Sequence, residues 1–193
     1  MVQKVRTGAM RAAPWLAVAG VGVVAMCLLW WEGRPWWCRC GQAFLWTGEP
    51  NGPHTSHHLA DPYSFIHILH GFAFCGVLAW AWPRLPPSWR LVAALGVEAA
   101  WEVIENSPPV IERYRTATAA VGYRGDTIAN SLGDIASCGL GVLVAQRLGL
   151  WWSAALFAVM EMVLLVWIRD SFLFSIVMLV WPMEAIKTWQ SGA

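Results

Sequence analysis

Charge is scarce in this sequence. Lysine, arginine, aspartate and glutamate make up 13% of its 193 residues, where an ordinary soluble domain carries about 25%. A chain with so few ionic groups does not cover a water-facing surface with them, so a soluble globular fold is excluded in favour of a membrane protein. The charges present nearly cancel, at a formal net charge of +1, and none gather into a basic or acidic tail. That excludes the electrostatic footprint of a nucleic-acid partner. Low-complexity tracts and internal repeats are absent. The five cysteines (Cys27, Cys38, Cys40, Cys75, Cys138) form no metal-finger or redox signature: one residue separates Cys38 from Cys40, and the others lie in apolar runs, where cysteine acts as a small hydrophobe. Cys38-Arg-Cys40 falls in a segment read as outside the membrane, where oxidation with a third cysteine is open to it.

Apolar mass is what the chain has in abundance: 58% of it is hydrophobic, with fifteen tryptophans. Its distribution predicts an all-α, polytopic helix bundle forming one transmembrane domain over 1–193. After Lys4, Arg6 and Arg11 comes an apolar run over 14–31, long enough for a hydrocarbon core of about 30 Å. A basic start followed by an apolar run also fits a signal peptide. The length of this run, and its end in Trp30-Trp31 without a small-residue cleavage site, favour a retained span. Residues 32–64 read as a polar outer loop with interfacial tryptophans. Further spans are expected over 65–82, 91–105, 126–148 and 151–168. Pro108-Pro109 stops the third, and Asp126 opens the fourth where a carboxylate suits the helix dipole. A sixth span over 172–189 has to take in the less apolar stretch after Pro182; the alternative is five spans with an interfacial C-terminal helix.

Basic residues give the orientation. With the N-terminus cytoplasmic, Lys4, Arg6, Arg11, Arg84, Arg90, Arg147 and Lys187 face inward, beside a single carboxylate, Glu184. The remaining six arginines lie outside among most of the acids. The short, almost purely basic inner loops, more than the count, set the expected topology of a plasma-membrane protein.

In that topology three spans bring ionisable groups to one depth below the outer face. His67 and His70 are spaced i,i+3; Glu98, Glu102 and Glu105 are i,i+4,i+7; Asp126, Asn130 and Asp134 are i,i+4,i+8, so each set shares a helical face. Such groups are costly in hydrocarbon and turn toward protein or a wet cavity. We therefore expect one polar pocket open to the outer leaflet. Imidazole with carboxylate suits a divalent metal, zinc first, with three ligands and a water making a hydrolytic site. The same groups suit a proton relay, or a hydrogen-bonded network locking helices together. Glu161, alone in the fifth span, either reaches the pocket or bonds a neighbouring helix. His54, His57 and His58 read as solvated loop residues, unless the loop folds over the pocket. Gly139-x-Gly141 is a close-packing signal.

Four blocks carry a resemblance. They are His58-Leu-Ala-Asp61-Pro-Tyr-Ser-Phe-Ile-His67-Ile-Leu-His70-Gly, Trp101-Glu-Val-Ile-Glu-Asn106-Ser-Pro-Pro-Val-Ile-Glu-Arg113-Tyr-Arg115, Tyr123-Arg-Gly-Asp126-Thr-Ile-Ala-Asn130-Ser-Leu-Gly-Asp134 and Arg169-Asp170. Over about 61–190 they resemble a family of bacterial, chiefly alphaproteobacterial, multi-pass membrane proteins carrying the domain of unknown function DUF2585. The first span and the cysteine-containing loop look individual to this chain. More distantly, the order of Asp, His, Glu and Asp resembles VanZ-like membrane proteins, which implies a role at the cell envelope.

The working expectation is a metal pocket ligated by some of His67, His70, Glu102 and Asp134, with Glu98 or Asp126 as general base. Arg113 and Arg115, with Asn130, would hold the headgroup of a lipid or envelope precursor that is hydrolysed or transferred. The rivals are a non-enzymatic protein that binds lipid or is structural, and an ion or proton transporter. Against the last, the inner side offers only Glu161 and Gln146.

Overall fold

The computed structural model describes residues 2–192, with residues 2–11 described as helical backbone alone. Seven helices form among them and no strand: α1 (Val2–Trp31), α2 (Ser64–Ala81), α3 (Pro87–Glu105), α4 (Pro108–Ala117), α5 (Ile128–Trp167), α6 (Phe172–Val180) and α7 (Glu184–Ser191). Three are long and apolar enough to cross a membrane: α1 over Ala12–Trp31, α2, and α5. Large apolar side chains lie bare on these helices, among them Trp31 at 84% exposure, Trp80 at 85% and Trp151 at 83%. Bare apolar surface on this scale seeks lipid or protein.

Local sequence explains the breaks. Pro108 and Pro109 end α3 and also open α4, at positions whose amides have no intrahelical partner. The stretch between the spans expected at 91–105 and 126–148 therefore begins as a short helix. At the start of α5, Thr127 caps by accepting from the Asn130 amide at 3.2 Å, so Asp126 stands just outside the helix. Gly149, with φ 72° and ψ 177°, bends α5 into two limbs. The C-terminal stretch differs from the sixth span expected over 172–189. Residues 172–189 form no single helix, because the chain leaves helical geometry at Trp181 and Pro182 cannot donate into a continuing ladder. Neither α6, at nine residues, nor α7, at eight, approaches the roughly 20 needed to cross a bilayer.

The main core lies where α2, α3 and the first limb of α5 meet α1, with Phe72, Cys75, Leu91, Leu95, Cys138 and Val142 buried. Contact between α2 and α5 is backbone to backbone. A Cβ added at Gly71 would strike the Cys138 carbonyl, and one at Gly141 the Ile68 carbonyl. Small residues let helices approach this closely where no hydrophobic drive operates between them. Of the expected glycine pair, Gly141 makes this contact, whereas Gly139 would meet the Leu95 and Leu91 side chains at 3.4 and 4.0 Å. The second limb of α5 returns Leu164 and Ile168 to Ile66 and Leu69 of α2. Glu161 bonds a neighbouring helix: the amides of Phe172 and Leu173 donate to its carboxylate at 2.9 and 3.3 Å, where a negative charge suits the α6 N-terminus.

The segment 32–63 is tied down across the N-terminus of α5. The amides of Thr127, Ile128 and Ala129 donate to the carbonyls of Ser56, Pro35 and Trp36 at 2.9, 2.9 and 3.2 Å, satisfying groups that a helix start leaves free. Gly133 has no side chain to block the Leu59 carbonyl, which lies against it.

Candidate functional site

Asp61 builds the entrance to α2. Its carboxylate accepts from the Ser56 amide at 2.7 Å and the Tyr63 amide at 2.8 Å, fixing the loop to the helix start. Burial pushes its carboxyl pKa up, against the lowering pull of those two amides. One residue into α2, Ser64 donates to Asp134 of α5 at 2.7 Å. His67 and His70 follow on the same face of α2, and both turn Nδ1 toward Glu98 of α3: 2.5 Å from His67, and 3.0 and 2.9 Å from His70 to the two carboxylate oxygens. Glu98 is fully buried. Its oxygens are taken up by the two rings, which leaves the opposite nitrogen, Nε2, of each imidazole for other partners.

Glu102, one turn further along α3, behaves differently. It is fully buried, yet neither carboxylate oxygen has a hydrogen-bond partner. His67 Nδ1 lies 3.3 Å from its Oε1. On the other side of that ring, His67 Nε2 is 3.8 Å from Asp134 Oδ2. His67, Glu102 and Asp134 each offer a ligand atom within 4.8 Å of the others, and all three are buried. His67, His70 and Glu98 meet the same distance criterion, but their short contacts are those of a hydrogen-bonded bridge. Glu98 thus orients the two rings through its hydrogen bonds. The group whose carboxylate oxygens are unsatisfied is the one with the geometry and donor set to suit a cation.

A cavity of about 760 Å³ runs along this cluster, lined by His67, His70, Asp126, Asn130 and Asp134 among others. Asp126 accepts from Asn106 Nδ2 and Tyr123 Oη, both at 3.0 Å. The side-chain Nδ2 of Asn130 is buried without a partner. Burial and the Asp126 and Glu105 charges raise the Tyr123 pKa and keep its hydroxyl protonated.

The expected headgroup arginines lie elsewhere. Arg113 donates to the Leu179 carbonyl at 2.9 Å and Arg115 to the Tyr123 carbonyl at 2.6 Å; neither lines the cavity. They tie α4 to α6 and to the loop before α5. Arg124 and Arg169 line the cavity instead, Arg169 with a positive φ of 56°. Both stood in the sequence blocks quoted above, and that was the available signal. Val97 and Ile176 also line the cavity and are 50% and 46% exposed, so its wall reaches the apolar flank of the bundle. Of the loop histidines, His57 reaches the cavity, while His54 and His58 turn toward Cys38 and Cys40.

The family described as "Protein of unknown function (DUF2585)" matches residues 29–192, so the match takes in the loop that had looked individual to this chain. Relatives called UPF0314 protein include one from Sphingopyxis alaskensis, 42% identical over 96% of this chain and 98% of its own length. Another, from Paracoccus denitrificans, is 42% identical over 94% of each chain, and one from Agrobacterium fabrum is 43% identical over 94% of this chain and 92% of its own. These comparisons add nothing to the likeness with VanZ-like proteins, and no solved structure matches. The chain belongs to the UPF0314 (DUF2585) family of bacterial proteins.

Proposed function

We propose that the protein is a polytopic inner-membrane enzyme whose pocket holds a divalent metal and hydrolyses or transfers the phosphoester headgroup of a lipid or envelope precursor. The observation that carries this reading is Glu102: a carboxylate with both oxygens buried and unpaired beside His67 and Asp134. Burying such a group without compensation costs several kcal/mol, and a cation held by His67, Glu102 and Asp134, with His70 alongside, removes that cost. An open coordination position for water would make the site hydrolytic, with zinc the first choice for nitrogen and oxygen ligands.

Around that metal the cavity residues take definite roles. Asp126 accepts the proton of the attacking water, and Tyr123 and Asn106 hold its carboxylate in place. The water oxygen bonds to phosphorus as the bond from phosphorus to the leaving ester or anhydride oxygen breaks, and the proton passes to that leaving oxygen. Arg124, Arg169 and the free amide of Asn130 face the headgroup, while the apolar wall at Val97 and Ile176 receives the chain. A cytoplasmic N-terminus, with the two limbs of α5 counted as separate spans beside α1, α2 and α3, gives five spans and leaves α6 and α7 at the outer interface, so Lys187, expected inside, lies outside, where it donates to the Thr116 carbonyl at 2.6 Å.

The test is phosphate release from phosphatidic acid and from an isoprenoid diphosphate by detergent-purified protein supplied with zinc or manganese. Activity lost in a folded His70→Ala protein, with thermal stability retained, supports the enzyme. No release from either lipid, with His70→Ala lowering thermal stability, would instead make the cluster a structural or lipid-binding network.

A further inference from the structure

A second group of metal-ligating side chains lies in the loop and is independent of the pocket. Cys38, Cys40, His54 and His58 each present a ligand atom within 4.8 Å of the other three. Cys38 Sγ is 3.6 Å from His54 Nδ1, and Cys40 Sγ is 3.7 Å from His58 Nε2. With metal–sulfur bonds of about 2.3 Å and metal–nitrogen bonds of about 2.0–2.1 Å, a tetrahedral zinc ion sets its sulfur and nitrogen ligands about 3.5–3.6 Å apart. The two observed pairs fall near that edge length. We propose that these four residues form a Cys2His2 zinc site.

The surroundings suit a closed, structural ion. All five cysteines are free thiols, so nothing has consumed Cys38 and Cys40. Cys38 is 8% exposed and His58 1% exposed. Trp37 meets the His58 ring edge-on at 5.8 Å, and Phe44 lies 5.1 Å from it, covering the His58 side of the site with apolar rings, while Cys40 lies at the surface. Four protein ligands leave no position for water or substrate, which separates this site from the pocket. The ion would join the turn at 38–40 to the turn at 54–58. Between its two histidines stand Ser56, whose amide holds Asp61 and whose carbonyl caps α5, and His57, which lines the cavity. Zinc thus acts as a clasp that fixes the roof of the pocket to the starts of α2 and α5.

The test measures alkylation rates of individual cysteines in the full-length, detergent-purified protein, with zinc supplied or with a chelator, read by mass spectrometry. Exposed Cys27 on α1 serves as the internal reference. Zinc is expected to slow alkylation of Cys38 and Cys40 by about tenfold or more, because a metal-bound thiolate is not free to react, and to leave Cys27 unchanged. A His58→Gln protein should lose the protection, and a His67→Ala/His70→Ala protein should keep it. Should His58→Gln fail to fold, the wild-type comparison decides alone. Equal rates with and without zinc would overturn the proposal. So would a Cys38–Cys40 disulfide recovered from freshly isolated membranes, or copper bound there in place of zinc. Failure of the lipid-phosphate assay leaves this result untouched.

Discussion

Glu102→Gln separates a metal cage from a polar packing network. The substitution keeps the shape of the side chain and removes the one buried carboxylate among the described residues whose oxygens are both unpaired. Without metal, the wild-type protein carries the cost of that group, and a buried polar group left without a partner costs about 1–3 kcal/mol, more when charged. We take about 1–2 kcal/mol, because His67 Nδ1 at 3.3 Å supplies part of the compensation. For a chain of this length, 1 kcal/mol moves the Tm by about 2–4 °C. Glu102→Gln in chelator should therefore melt about 2–8 °C above the wild type. With zinc at about one hundred times its Kd, the wild type gains about 2.7 kcal/mol, or about 5–11 °C. With the loop site silenced, the variant should lose that gain. The assay is thermal unfolding of detergent-purified protein in chelator and in a zinc series, on a Cys40→Ser background to silence the loop. If zinc stabilises both proteins equally, or if Glu102→Gln is the less stable in chelator, the reasoning fails.

Three further outcomes follow from the same geometry. Glu98→Gln replaces an acceptor of three short imidazole contacts and should weaken zinc binding at the pocket about 10–100-fold with unchanged stoichiometry, measured by calorimetry; unchanged affinity would remove Glu98 from the metal's support. Gly141→Val places a branched side chain against the Ile68 carbonyl and should cost about 3 kcal/mol or more, seen as loss of the monodisperse peak in size-exclusion chromatography; a stable variant would contradict the close α2–α5 approach. Asp170, its pKa raised by burial to about 6 from 3.8, contributes stability present in full below about pH 4 and lost as pH rises through about 6; Asp170→Asn should flatten the Tm-against-pH curve in that window, and an unchanged curve would contradict it.

The helical faces were legible because spacing alone sets them: His67 with His70, and Glu98 with Glu102, had to point the same way wherever their helices packed. The different fates of Glu98 and Glu102 were not legible. They stand one turn apart on one face, and only the depth of α2 against α3 decides which meets two imidazoles and which meets none in hydrogen-bonding geometry. Arg113 and Arg115 misled for a related reason. Long side chains near a pocket can reach it or reach backbone carbonyls, and α4, short and close to α6, offered carbonyls first. Pro182 did signal the break after α6, against the apolar length of the stretch before it. The loop cluster was hidden because Cys-x-Cys and His-x3-His become one site only when two turns fold face to face.

The most direct measurement is metal content per chain by mass spectrometry on detergent-purified protein, with the wild type beside His67→Ala/His70→Ala and Cys38→Ser/Cys40→Ser. Two sites should give about two divalent ions per wild-type chain and about one in each folded variant. A wild type that retains no ion in the pocket, so that His67→Ala/His70→Ala changes nothing, would contradict the metal-dependent reading and leave the histidine–carboxylate cluster as a packing network.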